Sequence, residues 1–221
     1  MADDMTLQTM VMDELAWVPN VDAAHIGVAA RNGVVTLTGI VGTFAEKFAA
    51  EQAARRVKGV QGIAQEIVVR PASAHKRSDE EIAERAVKIL NWDIEVPDEK
   101  IQVKVERGIV TLTGAVPYQF QKQSAESDIR QLGGVIDIIN LVEVRPHGDQ
   151  ATDPGAVHNK IETALRRSVE LDASHISVLV SGSKVTLRGK VKSWWERSTA
   201  ERAAWAAPGV TQVDDQLVIG N

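Results

Sequence analysis

One phrase recurs three times along this chain at a constant spacing of 75 residues: IGVAARNGVVTLTGIV from Ile26 to Val41, IQVKVERGIVTLTGAV from Ile101 to Val116, and ISVLVSGSKVTLRGKV from Ile176 to Val191. Such a period divides the 221 residues into three units of about 70, each near the lower size at which a single hydrophobic core folds unaided. Packing between units follows as an expectation. The expected domains run over 1–72, 78–146 and 153–221, joined by the short polar stretches 71–77 and 146–153, which are of the Pro/Gly/Ser kind.

Laid over one another without gaps, the copies share twelve identical columns, represented in the first by Leu15, Ile26, Val28, Val35, Thr36, Leu37, Gly39, Val41, Ala50, Glu51, Gly59 and Val60. Nearly all are apolar or glycine, the residue types a fold needs. A catalytic array would be expected to repeat a nucleophile with its base, or a set of metal ligands, yet the only repeated ionisable residue is Glu51 with Glu126 and Glu201. The expectation is a protein that is not an enzyme, with no catalytic residue, no metal and no cofactor.

Each copy reads as helix, strand, strand, helix, strand. In the first helices, Leu7, Val11, Leu15 and Val18, then Ile82, Ala86, Ile89 and Leu90, then Val157, Ile161 and Leu165 fall at helical spacing. Their entrances carry Asp3 or Asp4, Ser78 with Glu81 at capping-box spacing, and Asp153 ahead of Pro154. A hairpin follows, turning at Asn32-Gly33, Arg107-Gly108 and Ser181-Gly182-Ser183, with Val35, Leu37, Gly39 and Val41 sharing one face at period two. The second helix opens at Thr43 with Glu46 or Ser193 with Glu196, runs inward along Ala50, Ala54 and Val57 (Ala200, Ala204 and Ala207 in copy three), and stops before Gly59-Val60. Acting as a right-handed crossover, that helix returns the last strand parallel to the second one. The fold class is therefore α+β: three tandem αββαβ units, each a three-stranded mixed sheet with two helices on one face.

No run of 18 apolar residues exists, and the acidic start Met1-Ala2-Asp3-Asp4 differs from a secretory signal; the expected location is cytoplasmic, with peripheral membrane contact allowed. Charge is uneven. Copy one carries six cations against eight anions (−2), copy two ten against fourteen (−4), and residues 151–221 nine against eight (+1). With a net charge of −5 no nucleic-acid partner is expected, since that needs a basic surface to exchange for phosphate counterions. The absence of cysteine excludes disulfides and thiolate metal sites.

The phrase Gly33-Val-Val-Thr-Leu-Thr-Gly39-x-Val41, followed by a helix, Gly59-Val60 and a closing strand, with Asn140 after Ile138-Ile139 in copy two, resembles the BON domain. Three copies covering almost the whole chain resemble the osmotically induced, OsmY-like members of that family, from which a third copy sets this chain apart. The resemblance implies a non-enzymatic module of envelope or osmotic stress. The roles that the resemblance implies are binding of anionic phospholipid, chaperoning and potassium sensing.

Several local features read most simply as structure. Lys47 and Glu51, Lys122 and Glu126, and Arg197 and Glu201 have the spacing of exposed helix ion pairs. His25 and His175, each in an Asp-Ala-x-His-Ile phrase, read as strand-entry residues with Asp fixing a turn; one His and one Asp make at most a weak cation site. Gly39-Ile-Val-Gly42-Thr43 matches neither nucleotide fingerprint. Trp17 and Trp92 read as packing residues that close the end of the first helix over the sheet.

The singular feature lies in copy three. At 100° per residue, Trp194 and Trp205 fall within about 20° of each other, about 120° from the alanine stripe, with Trp195 farther round. They are expected off the core of their own domain, burying against a neighbouring unit or subunit or forming a binding surface. Lys190, Lys192, Arg197 and Arg202 surround them in sequence, a combination suited to an anionic headgroup interface. The leading expectation is thus an OsmY-like triple-repeat protein binding anionic phospholipid through Trp194, Trp195, Trp205 and these four cations. The alternatives are a scaffold, chaperone or homo-oligomer with tryptophan interfaces, and a small-ligand or cation (potassium) binding stress protein.

Overall fold

In the computed structural model the described residues are 4–72, 77–145, 153–168 and 172–220. The candidate cap Asp3 and the linker residues 73–76 and 146–152 lie outside them.

Copy one consists of α1 (Asp4–Trp17), β1 (Ile26–Arg31), β2 (Val34–Val41), α2 (Phe44–Arg56) and β3 (Gly62–Val69). Copy two repeats it as α3 (Asp79–Trp92), β4 (Ile101–Glu106), β5 (Ile109–Val116), α4 (Gln119–Arg130) and a last strand in two pieces, β6 (Asp137–Asn140) and β7 (Glu143–Val144). Copy three has α5 (Pro154–Arg167), β8 (Ile176–Ser181), β9 (Lys184–Val191), α6 (Trp194–Trp205) and β10 (Gln212–Ile219). The second strand is central each time, antiparallel to the first and parallel to the last. Register is conserved as well: Val35 lies opposite Ile63, Val110 opposite Ile138 and Val185 opposite Val213.

Alternation along the central strand decides which face is covered. Val35, Leu37, Val110, Leu112, Val185 and Leu187 are all 0% exposed beneath the two helices, whereas Val34 and Ile40 lie on the open face of the sheet. The helices contribute Leu7, Val11 and Leu15, Ile82, Ala86 and Leu90, and Val157, Ile161 and Leu165 from the first of each pair. Small residues on the second, among them Ala50, Ala53 and Ala54, let it approach the sheet closely.

The helix entrances are partly as the spacing predicts. Ser78 and Glu81 form the full reciprocal capping box, and Asp153 caps α5 ahead of Pro154. At α2 and α6 only half of the box forms. Thr43 and Ser193 accept from the N–H groups of Glu46 and Glu196, but those glutamates reach back past the cap to the N–H groups of Gly42 and Lys192. Glu46 also accepts from the N–H of Asp22, tying the second helix to the loop that follows the first.

The hairpin turns of copies one and two have positive φ at both central residues, Asn32 and Gly33, then Arg107 and Gly108, the twist that a two-residue connection requires. The invariant Gly39, Gly114 and Gly189 also have φ near +130°. A Cβ on any of them would land on the backbone carbonyl oxygen of His25, Lys100 or His175, where the neighbouring strand enters.

Among the described residues the last strand of each sheet has an unpaired outer edge, and each copy treats it in the same way. The side-chain oxygens of Gln65, Asn140 and Asp215, one equivalent column, accept from the N–H groups of Ile67, Val142 and Leu217, two residues on. Ladder bonds such as Arg70 N–H to Val41 O and Gly220 N–H to Val191 O fix the parity of the inward-donating residues. The N–H groups capped by the side chains therefore belong to the opposite parity and point to the open edge.

Copies one and two pack into one compact unit, and copy three forms the body of a second. Within the first unit, Phe44 at the start of α2 packs against the core of copy two. The guanidinium of Arg130 on α4 lies 3.5 Å from the ring centroid of Phe48. Packing between repeats is therefore present here, through an aromatic wedge.

Candidate functional site

The candidate surface of copy three is built on α6, which Ser193 starts and whose backbone stops helically at Ala206. Trp195, in its first turn, is 50% exposed. One side of the helix carries Trp195, Thr199, Arg202 and Ala206 at spacings of four, three and four. The Arg202 guanidinium lies 5.4 Å from the centroid of Trp195, and its hydrogen bonds run to the Ser198 carbonyl and the Thr199 hydroxyl, not to a carboxylate.

The remaining sequence candidates divide. Trp194 is partly buried, with the Arg197 guanidinium 5.1 Å from its ring centroid. Arg197 also binds Asp215 at 2.6 Å, a mostly buried ion pair that joins α6 to β10. Trp205 departs from its expected position off the core: it is only partly exposed and packs against the hydrophobic cluster of its own domain. The helical wheel fixes only where its Cβ leaves the backbone. An indole beside the small Ala203 and Ala204 has the reach to cover the flank of the core.

Lys190 and Lys192 separate as well. Lys190 is exposed two positions from Arg188 on the parity opposite to the buried Val185, Leu187 and Val191, so it belongs to the open face of the sheet and not to the α6 side. Lys192 stays near the start of α6 and approaches Asp172 at 3.6 Å. The structure thus brings Trp195 and Arg202 together, holds Arg197 in a structural pair, and places Lys190 elsewhere.

Trp17 and Trp92 do not close the helix ends. They are 83% and 88% exposed, because each stands two residues, about 200°, beyond the buried Leu15 or Leu90 on its helix. Ile94, two residues after Trp92, is fully exposed. Arg167 holds the equivalent position in copy three.

The histidine phrase is a turn device, as the residues predict. Asp22 and Asp172 cap short 3-10 turns by accepting from the N–H groups of Ala24 and Ser174, and their other oxygens approach His25 at 2.9 Å and His175 at 3.4 Å. Hydrogen bonds from the hydroxyl and backbone N–H of Ser174 hold the Asp172 carboxyl below its ordinary value, helped by His175 and Lys192. Among the described residues no group of three or more His, Asp or Glu side chains is placed to hold a metal ion.

The repeated glutamate pairs in the other direction from that expected. Glu51 binds Arg55 at 2.6 Å and Glu126 binds Arg130 at 3.4 Å, toward the C-terminus, not back to Lys47 or Lys122. Each also reaches the edge-capping side chain, Gln65 at 3.5 Å and Asn140 at 3.2 Å. Copy three keeps the link with changed partners, Arg197 to Asp215. This polar bracket was missed in the sequence, although a polar residue at the inward parity of the last strand, as in Ile63-x-Gln65-x-Ile67, was a visible signal. One further group is perturbed. Asp128 on α4 is pushed up to about 6, chiefly by burial, then by the charge and hydrogen bond of Asp93 and the charge of Glu95.

No helix among the described residues is long and apolar enough to cross a membrane. A family profile for the BON domain matches residues 3–71, 78–146 and 155–221. The osmotically-inducible protein Y of Escherichia coli (strain K12) is 30% identical over 148 residues, 65% of this chain and 73% of that protein. Two structures of CdsD, a structural protein of the type III secretion system of Chlamydia trachomatis, align at low similarity. Its C-terminal domain covers 99% of this chain and 100% of that chain at 15% identity and a TM-score of 0.27. The other covers 96% and 91% at 14% identity and the same TM-score. Likeness at that level supports no inference.

Proposed function

This chain belongs to the BON domain family, and from that premise we propose that it is a non-enzymatic, OsmY-like stress protein whose third domain makes peripheral contact with anionic phospholipid. Its similarity to an osmotically-inducible protein supports the stress assignment. The observation that carries the lipid reading is the pairing of a half-exposed indole, Trp195, with the guanidinium of Arg202, which no carboxylate neutralises among the described residues. An indole with an adjacent cation suits a headgroup boundary, where the ring supplies apolar contact and the cation an attraction of about 1 kcal/mol.

Of the four cations around the tryptophans, Arg202 contributes most in this reading. Lys192 and Arg197 are already engaged by Asp172 and Asp215, and Lys190 lies on the other face. The test is co-sedimentation of the full chain with phosphatidylglycerol vesicles and with phosphatidylcholine vesicles. Arg202→Gln should weaken binding to the anionic vesicles about fivefold at low salt and little at high salt, because charge is screened. Trp195→Ala should weaken it at both. Equal binding to the two lipids, or both variants binding like the parent, would refute the reading and leave the exposed rings, Trp17 and Trp92 included, as protein interfaces.

A further inference from the structure

Between α5 and α6 of copy three lies a groove of about 480 Å³, and we propose that it is a binding site for a carboxylate with a short apolar body. The groove arises from a difference between copies. Ala164 and Ala206 stand 150 residues after Glu14 and Arg56. In copy one those two side chains bridge the first and second helices as an ion pair, Glu14 Oε1 to Arg56 Nε at 2.7 Å. In copy two the first of these positions holds Ile89, which packs against the core, and the second holds Gln131. Copy three truncates both to alanine, and the space between the helices becomes a trough floored by Ala164, Ala203, Ala206 and Ala207. Its volume lies within the range of small-molecule sites.

The rim supplies charge of one sign. Lys160 and Arg167 line the groove from α5, seven residues and so about 10 Å apart along the helix axis. Among the described residues no acidic one lines it. Among the described residues neither cation is in an ion pair, whereas the adjacent Arg166 binds Glu162 at 3.3 Å. Thr163 adds a hydroxyl. Copies one and two lack this pair of cations, since Met10 and Arg85 occupy the column of Lys160, and Trp17 and Trp92 that of Arg167.

An entering carboxylate takes the place that the Glu14 carboxylate fills in copy one, with Lys160 and Arg167 supplying the cation that Arg56 supplies there. An apolar body lies along the alanine floor, where it removes exposed methyl surface from water. A ligand cation would meet like charge on the rim and gain nothing from the floor that an anion does not. The groove meets the Trp195 side of α6 only at Ala206 and includes neither Trp195 nor Arg202, so octanoate binding is read apart from vesicle binding.

Isothermal titration of the full chain with sodium octanoate, with octylamine and octyl phosphate as comparisons, tests it. Octanoate should bind saturably at one site per chain and octylamine should not. Lys160→Gln and Arg167→Gln should each weaken octanoate by about tenfold, the effect of losing one charge-assisted hydrogen bond. The double variant Ala164→Glu with Ala206→Arg, which restores the bridge of copy one, should abolish binding without lowering the melting temperature. If that variant folds poorly, Ala164→Ile, the residue of copy two, is the second block. Four results would overturn the proposal: no saturable octanoate binding up to about 10 mM, unchanged binding in the blocked variants, octylamine binding as well as octanoate, or preference for octyl phosphate.

Discussion

Gly39, Gly114 and Gly189 show how an invariant residue is required by a single atom. With φ near +130° and a neighbouring carbonyl where a Cβ would sit, any side chain must push the entering strand away from the central one. Gly189→Ala should therefore destabilise copy three by about 2–4 kcal/mol, measured by denaturant titration of the full chain. A loss below half a kilocalorie would show that the strand entry yields freely. Asp128 sets a pH dependence. Its folded value, about 6, lies above the ordinary 3.8, so the fold favours the protonated form. The stability it contributes is fully present below about pH 4 and is lost as pH rises through 6. The facing groups are Asp93 and Glu95. Asp128→Asn should raise the melting temperature of the first unit at pH 7 relative to the parent, with the gap narrowing toward pH 4. A gap independent of pH would remove the carboxyl from this role.

At the scale of elements, the second helix does different work in each copy while keeping the same core face. In copy one its outer aromatics, Phe44 and Phe48, reach copy two; in copy three the equivalent of Phe44 is Trp194 beside the Arg197–Asp215 bracket. Phe44→Ala should cost about 1–2 kcal/mol and lower the melting of copies one and two together, read by hydrogen exchange in Val110 and Leu112 as well as in Val35 and Leu37. Protection lost in copy one alone would exclude the wedge as a coupling element. The order of elements and the buried columns of the central strands were legible in the sequence because they repeat and rest on local periodicity. The fate of the tryptophans was less so. Trp17 and Trp92 follow two residues behind an inward leucine, and the wheel angle from Leu15 and Leu90 already contained their exposure. Trp205 was misjudged because a helical wheel gives no length to a side chain. The wedge and the groove were illegible for another reason: one depends on which repeat lies beside Phe44, and the other is made of side chains that are missing from facing positions on two helices.

At the scale of the whole molecule, one framework is used three times with three surface chemistries, from −4 in copy two to +1 in copy three. Shared columns maintain the sheets, and the unshared ones carry the differences from which binding is inferred: Trp195 with Arg202 on one side of α6, and Lys160 with Arg167 over a floor of alanines. Tandem copies of a similar sheet also carry a hazard. Tethered neighbours meet at an effective concentration on the order of millimolar, and near-identical strands offer one another a ready template for exchange or misassembly. Gln65, Asn140 and Asp215 occupy a donor on the outer edge of each sheet from within the same strand, so that a sister strand must displace a bond already made before it can add on. A chain built in this way keeps its copies out of one another's sheets.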